Sequence, residues 1–121
     1  MAIQFAVENG NLGIFRVTGK LGVAELEAAQ KEAEEVIKKE GHLRILVVLE
    51  NFTGWEKAKG WGDVSFPMRN DPYIKKIAIV GDAEWRDLVY AFTGKGLREV
   101  PIEYFEANQE DAARQWLDIA Y

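Results

Sequence analysis

Hydrophobic and polar residues alternate in two short segments near the start of the chain, "AIQFAV" at residues 2–7 and "LGIFRV" at residues 12–17. A period of two is typical of strands that bury one face. The segments are joined through Asn9-Gly10, and Asn-Gly between alternating segments indicates a hairpin because both residues tolerate a positive φ. The pattern therefore predicts an antiparallel pair of strands at the start of the fold.

Three later segments, residues 23–40, 82–92 and 108–120, repeat their hydrophobic residues at helical spacing. In each segment the apolar positions share one stripe, as in a helix that buries one side. The pattern predicts three amphipathic helices. The residues expected to cap them are Gly41, Gly94 and Asn108. The side chains expected to face inward from the second helix are Trp85, Leu88, Val89 and Phe92.

Two runs, "LRILVVL" at residues 43–49 and "YIKKIAIV" at residues 73–80, are almost continuously apolar and rich in β-branched residues. Such strands are covered on both faces, which places them inside a sheet. Residues 100–105 form a shorter strand, and Pro101 favours an edge position for it. With a fourth helical segment within residues 52–68, the order is ββαβαβαβα. This order predicts an α/β fold with a single mixed sheet, in which an antiparallel hairpin is followed by parallel strands and four helices.

The carboxyl half of the chain contains an Ile-Ala-Ile-Val strand, a Gly-Asp turn, a tryptophan in the next helix and a closing Ala-x-x-Trp-Leu helix. The segments are "KKIAIVGDAEW" and "EYFEANQEDAARQWL", and "FTGW" follows the third strand. In this order and spacing the sequence resembles the SpoIIAA-like, or STAS-like, family of bacterial proteins over almost its whole length. The resemblance implies the STAS-type fold. The positions that carry it are Ile77, Ala78, Val80, Gly81, Asp82, Trp85, Phe105, Ala113, Trp116 and Leu117.

The resemblance also implies a regulatory role through docking to a partner protein, and it does not imply an enzyme. In the better understood members, a serine in the turn after the third strand is phosphorylated and switches the docking. The corresponding segment here is "ENFTGW" at residues 50–55, where Thr53 is the nearest hydroxyl. Thr53 and Glu56 also have the form of a capping box that would begin a helix. Thr53 is therefore either a helix cap or a phosphate acceptor.

Charge and length exclude several classes of partner. Fifteen basic and twenty acidic residues give a net charge of −5, the wrong sign for a protein that neutralises nucleic-acid phosphates. No apolar run approaches the roughly 20 residues that span a bilayer, and residues 1–10 include no basic leader. We expect one cytoplasmic domain over residues 1–121, with no nucleic-acid partner and no membrane-spanning segment.

Few catalytic arrangements are available, because the chain has no cysteine, one histidine (His42) and one serine (Ser65). A Ser-His pair would need both residues, yet they fall at opposite ends of the third strand, roughly 20 Å apart at about 3.3 Å per residue. A zinc site usually needs several nitrogen or sulfur ligands. We therefore expect no catalytic residues, no metal and no cofactor, and we do not expect an enzyme.

The segment "GWEKAKGWGD" at residues 54–63 holds two of the four tryptophans directly after the third strand. Ligands of open α/β sheets bind outside the carboxyl ends of the strands, which favours a site there. The alternative is a helix whose stripe of Trp61, Val64 and Met68 covers the core. The candidate binding residues are Phe52, Trp55, Trp61, Phe66 and Met68.

Two functions from different classes fit this segment. The function that we expect is a regulatory protein-interaction module, which docks to its partner through residues 53–68. It could instead hold a small apolar, lipid-like ligand between residues 52–68 and the sheet, as a carrier or sensor. In either case the same apolar patch could join two copies of the chain as a homodimer.

Overall fold

The computed structural model describes residues 2–57, 59–61 and 65–119 of the chain. These residues include a five-stranded sheet in the order β1-β2-β3-β4-β5. β1 and β2 are antiparallel, and the other neighbouring strands are parallel. The predicted α/β fold with a single mixed sheet is therefore confirmed, with β3 at the centre and β5 at an edge. The strands are β1 (Ile3–Glu8), β2 (Leu12–Leu21), β3 (Leu43–Trp55), β4 (Ile74–Gly81) and β5 (Ile102–Glu106).

The helices of the described residues are α1 (Val23–Glu40), α2 (Ser65–Asn70), α3 (Arg86–Thr93) and α4 (Glu110–Asp118). α1 has the predicted bounds, and Gly41 ends it in the left-handed conformation with its N–H bonded to a carbonyl one turn earlier. Gly94 ends α3 in the same way. α3 is shorter than predicted because a 3₁₀ turn, Ala83–Trp85, precedes it. α4 starts after Gln109, so Asn108 does not cap it.

The turn between β1 and β2 has the conformation that the Asn-Gly pair predicts. Asn9 and Gly10 have φ values of 54° and 77°. The register places Ile3 opposite Val17, and both side chains are buried. The hairpin thus contributes apolar residues to the face of the sheet that α1 covers.

β3 is longer than predicted because it keeps β2 as a hydrogen-bonding partner beyond residues 43–49. It continues to Trp55, which pairs with Leu21, and the N–H of Glu56 still donates to the Leu21 carbonyl at 2.9 Å. Thr53 therefore lies exposed within a strand, and the predicted helix start with a Thr53–Glu56 capping box is wrong. The next helix among the described residues is α2, with six residues.

The sheet separates two hydrophobic layers. Of the described helices, α4 lies on one face, against β4 and its neighbours β3 and β5. On the other face α1 packs over β1 and β2, and the short helices α2 and α3 lie beside it. The α4 face is a closed core. Its buried residues are Leu12, Ile14, Leu46, Val48, Ala78, Val80, Ala113 and Leu117.

Two basic side chains hold the carboxyl end of α4 on its face. Lys76 is only 2% exposed, and its ammonium donates to the carbonyls of Trp116 at 2.6 Å and Ile119 at 2.7 Å. Arg44 donates to the Asp118 carboxylate at 2.7 Å. Cations at this end of a helix satisfy its free carbonyls and complement its dipole. α4 is therefore fixed firmly to the sheet.

Candidate functional site

A groove lies on the face of the sheet opposite α4. Its floor includes Val47 and Leu49, which remain half-buried although they belong to the central strand. A central strand between two packed layers normally buries such side chains completely. The groove has a volume of about 1070 Å³, at the upper end of the range of roughly 300–1,000 Å³ for ligand pockets. Other floor residues are Ile45, Ile77 and Ile79.

Within the described part of the chain, the helices α2 and α3 beside the groove are short. α2 has six residues and packs against α1, whereas α3 has eight residues and makes little contact with the strands. Of the side chains predicted to face inward from α3, Val89 is buried, but Leu88 and Phe92 are exposed. α3 therefore forms a wall beside the sheet and does not cover it.

Aromatic rings form a continuous wall beside the carboxyl end of β3. Phe52 lies edge-on to Trp55 and Trp85, with ring centroids 5.1 and 4.9 Å away. Phe92 of α3 lies 5.1 Å from Trp55 and 5.6 Å from Trp61. Such pairs contribute about 0.5–1.5 kcal/mol each beyond the area they bury. This aromatic wall (Phe52, Trp55, Trp61, Trp85 and Phe92) joins the end of β3 to α3.

An irregular stretch of β3 positions the first rings of the aromatic wall. Asn51 and Gly54 have positive φ values of 50° and 109°, and the register with β2 shifts beside them. A Cβ atom on Gly54 would lie 3.5 Å from the Trp85 ring, so the backbone approaches that ring closely. Phe52, between the two irregular residues, is buried against the groove.

The indole N–H groups of the aromatic wall are satisfied unequally. Trp61 donates to the Glu56 carbonyl at 2.8 Å, whereas Trp55 and Trp85 bury their N–H groups with no acceptor among the described residues. A buried donor without an acceptor costs about 1–3 kcal/mol, and the neighbouring ring faces are only weak acceptors. Folded proteins retain such local costs mainly at functional positions.

The structure brings the five predicted binding residues to this one groove, which they line together: Phe52, Trp55, Trp61, Phe66 and Met68. One is buried, three are half-buried, and Met68 is 76% exposed at the mouth. Trp55 and Trp61 thus pack in the aromatic wall and also line the groove. Thr53 is exposed and does not line it. The predicted helical stripe through Val64 lies outside the described residues.

The edge of the groove, or rim, has a second part in the segment before β5, which the sequence did not reveal. Leu97 there is 93% exposed beside the groove. Arg98 donates from Nε to the Asp71 carboxylate at 2.9 Å and from Nη1 to the Thr93 carbonyl at 3.0 Å. This ion pair joins the segment before β5 to the turn before β4. The sequence signal for it was weak, a leucine at the end of the turn-like "TGKGL".

Polar contacts fix α2 to α1 next to the groove. The Glu34 carboxylate accepts hydrogen bonds from Arg69 Nε at 3.0 Å and from Asn70 Nδ2 at 2.8 Å. These bonds hold the pKa of Glu34 below its ordinary value. Asn70 also donates to the Phe66 carbonyl at 2.9 Å, so the same contacts position a residue that lines the groove.

Two titratable groups that lie away from the groove, His42 and Tyr104, have structural partners. His42 is half-buried with Nε2 2.7 Å from Asn11 Nδ2. Tyr104 donates to the Asp82 carbonyl at 2.6 Å, and burial raises the pKa of its phenol to about 12. Across the described ranges no three His, Cys, Asp or Glu side chains are grouped as a metal site. No helix described here is long and apolar enough to cross a membrane.

Comparisons with known proteins identify the family and the fold. The SpoIIAA-like family model matches residues 12–118. A solved structure from Shewanella loihica PV-4, an uncharacterized protein of the DUF3478 family with a SpoIIAA-like fold, is 19% identical with a TM-score of 0.68. That alignment covers 96% of this chain and 92% of the other. The anti-sigma factor antagonist SpoIIAA in its unphosphorylated form is 17% identical with a TM-score of 0.65, covering 98% of this chain and 100% of the other. A search of curated proteins finds no match.

The two kinds of comparison support different statements. The structural likeness shows the fold alone at these sequence identities, and the fold is the one that the sequence predicted. The family model adds membership, because its match spans most of the chain. The predicted resemblance is therefore confirmed, and this chain belongs to the SpoIIAA-like family.

Proposed function

We propose that this chain is a non-enzymatic, cytoplasmic domain that binds a small apolar, lipid-like ligand in its groove, as a carrier or sensor. The observation that carries the proposal is the half-buried floor of Val47 and Leu49 in the central strand, beneath an opening of about 1070 Å³. Apolar surface left in contact with water costs roughly 25 cal/mol per Å² relative to burial. An apolar ligand on this floor would complete the missing layer.

The surroundings of the floor favour ligand binding over chemistry. The aromatic wall supplies large, weakly polar surfaces, which dominate the lining of small-molecule sites. Among the described lining residues, no histidine or cysteine is available as a base or nucleophile. The described lining is mainly apolar, and without a histidine or cysteine it offers no Ser-His or Cys-His pair to activate a nucleophile, so it suits binding and release of a ligand.

The first experiment is native mass spectrometry of freshly purified protein, compared with the same sample after denaturation. Additional mass of the order of a drug-sized ligand that is lost on denaturation supports the proposal. If only the apo mass is found, titration with an apolar fluorescent probe follows, with emission from Trp55 and Trp61 as the readout. A protein that carries no ligand and does not respond to the probe contradicts the proposal.

A blocking variant makes the test specific to the groove. Val47→Phe places a ring on the half-buried floor and should abolish probe binding. Val7→Phe adds the same ring to an exposed position of β1 outside the groove and should leave binding unchanged. Binding that survives Val47→Phe would place the probe elsewhere and overturn the assignment of the groove.

A second candidate function, a regulatory protein-interaction module, is favoured by the exposed apolar rim. Met68 and Leu97 are 76% and 93% exposed, and both lie at the same groove. Exposed apolar patches of this kind commonly mark partner surfaces. The likeness to an anti-sigma factor antagonist adds support by analogy of fold. The partner would be a regulatory protein, or a second copy of the chain in a homodimer.

The rim variants separate this candidate from ligand binding. Met68→Glu combined with Leu97→Glu should abolish a partner complex, or convert a dimer to a monomer in light-scattering measurements, without loss of fold. Val7→Glu is the matched control on a different apolar surface. Unchanged association in the rim variant would remove the support for docking there.

Thr53 remains a predicted phosphate acceptor, and phosphopeptide mapping that finds it unmodified under all growth conditions would contradict that prediction.

A further inference from the structure

The charged side chains that line the groove are unbalanced. Among the residues that the structure describes, they are Glu27, Asp71, Arg98 and Glu99. Arg98 is bound by Asp71 through two hydrogen bonds, and both side chains are largely buried, so this pair contributes almost no net charge. Glu27 and Glu99 have no ion-pair partner among residues 2–57, 59–61 and 65–119. The described part of the lining therefore carries two carboxylates without an ion-pair partner.

The remaining lining cannot offset these charges. The polar residues beside them include Gln30, Ser65 and Thr93, which are uncharged. The rest of the described lining is mainly aliphatic and aromatic. Glu27 and Glu99 are themselves exposed, so an ionic head group held at the edge of the groove would meet their charges there, screened by solvent and salt. The guanidinium of Arg98 is engaged by Asp71 and by the Thr93 carbonyl, and an incoming anion would have to displace one of them.

We propose that the groove selects against anionic head groups and takes an apolar chain that ends in an uncharged or positively charged hydrogen-bond donor. This inference rests on the proposed function and names its ligand class. The O–H of an alcohol or the N–H of an ammonium donates to Glu27 or Glu99, whereas a carboxylate or phosphate meets a like charge.

The test compares three probes with the same tail, which are dodecanol, dodecylammonium and dodecanoate. At about pH 7 the amine is protonated and the carboxylate is ionised, so the probes differ in head-group charge. Tryptophan emission is titrated with each probe below its aggregation concentration, with Val47→Phe as the blocked control. We expect dodecanol and dodecylammonium to bind at least about tenfold more tightly than dodecanoate. The ratio of the affinities for dodecanol and dodecylammonium tells whether the preferred head group is neutral or cationic.

Two double variants with the same net charge show whether the groove or the whole protein causes the selection. Glu27→Gln with Glu99→Gln should bring the affinity for dodecanoate to within about threefold of that for dodecanol. Glu32→Gln with Glu106→Gln changes exposed carboxylates outside the groove and should leave the selection unchanged.

The outcomes separate the inference from the function on which it rests. Dodecanoate binding as tightly as dodecanol in the wild-type protein overturns the inference and leaves ligand binding intact. Equal effects of the two double variants also overturn it, because overall charge would then account for the selection. If none of the three probes gives a saturable change that Val47→Phe removes, ligand binding in the groove is itself contradicted.

Discussion

Both faces of the sheet carry aliphatic strand residues, but these residues are buried under α4 on one face and in part only half-buried at the groove of the other. Under α4, Leu46 is fully buried and meets Ala113 and Leu117, which are also almost completely buried. On the other face Val47 and Leu49, from the same strand, remain half-buried. Of the helices that the structure describes, one closes the first face, whereas three, two of them short, leave the groove on the second.

The difference shows that burial of a sheet face depends on the contacts that attach a helix to it and not on the number of helices on that face. α4 lies flat on β4 because Lys76 and Arg44 bind its carboxyl end. α3 is attached through Phe92 in the aromatic wall, through the buried Val89 and through the Tyr90 hydroxyl, which accepts from the Tyr104 N–H of β5. It makes little other contact with the strands and stands beside the sheet. Stability should therefore reside chiefly in the α4 face, and binding in the other face.

The largest expected effect comes from truncating the same residue type on each face of β3. Leu46→Ala should lower the free energy of unfolding by about 2–5 kcal/mol, because it leaves a cavity in a closed core. Leu49→Ala should cost only about 1 kcal/mol, since its side chain is already partly exposed to the groove. Urea unfolding of both variants measures the difference. Equal costs would mean that the two faces are packed equally well.

The next effect concerns the attachment of α4. Lys76→Met keeps the apolar stem but leaves the Trp116 and Ile119 carbonyls without their donor, and it should cost about 2–3 kcal/mol. The neighbouring Lys75 is exposed, so Lys75→Met should stay within about 0.5 kcal/mol of wild type. Both are measured by chemical unfolding. A neutral Lys76→Met variant would show that α4 is held by its apolar contacts alone.

A smaller effect is expected at the aromatic wall. Gly54→Ala places a side chain at a φ of 109°, which L-residues rarely adopt, and directs a Cβ atom toward the Trp85 ring. The strain should cost about 1–3 kcal/mol and shift the tryptophan emission. Thr53→Ala, next to it in an exposed position, should change neither quantity. A Gly54→Ala protein with wild-type stability and wild-type emission would show that the aromatic wall does not depend on the positive φ of residue 54.

The smallest effect concerns the contacts between α1 and α2. The folded pKa of Glu34 lies below its ordinary value of 4.5, so the stabilisation by this group is complete above that pH and is lost as the pH falls through the folded pKa. Glu34→Gln should therefore cost about 1 kcal/mol or less at neutral pH. The difference from wild type should vanish in acid. Stability curves of the two proteins against pH test this, and a difference that grows in acid would have the wrong sign.

The sequence by itself determined the strand and helix order, because burial on one or both faces leaves periods that can be counted along the chain. The Asn9-Gly10 turn, the full length of α1 and the edge position of β5 follow from such local patterns. The sequence also pointed to five residues that line the groove, since aromatic residues among glycines after a buried strand are an unusual local signal. Their role in binding stays a prediction.

Only the tertiary structure decided where β3 ends and whether its face is covered. β3 extends to Trp55 because Leu21 of β2 is available to pair with it, and a partner strand cannot be read from the residues of β3 alone. The exposure of Leu88 and Phe92, the Asp71–Arg98 pair and the unbalanced charges of the groove likewise depend on segments far apart in the chain. Helical periodicity shows which side of a helix is apolar, but the distance of that side from the sheet is set by contacts at the ends of the helix.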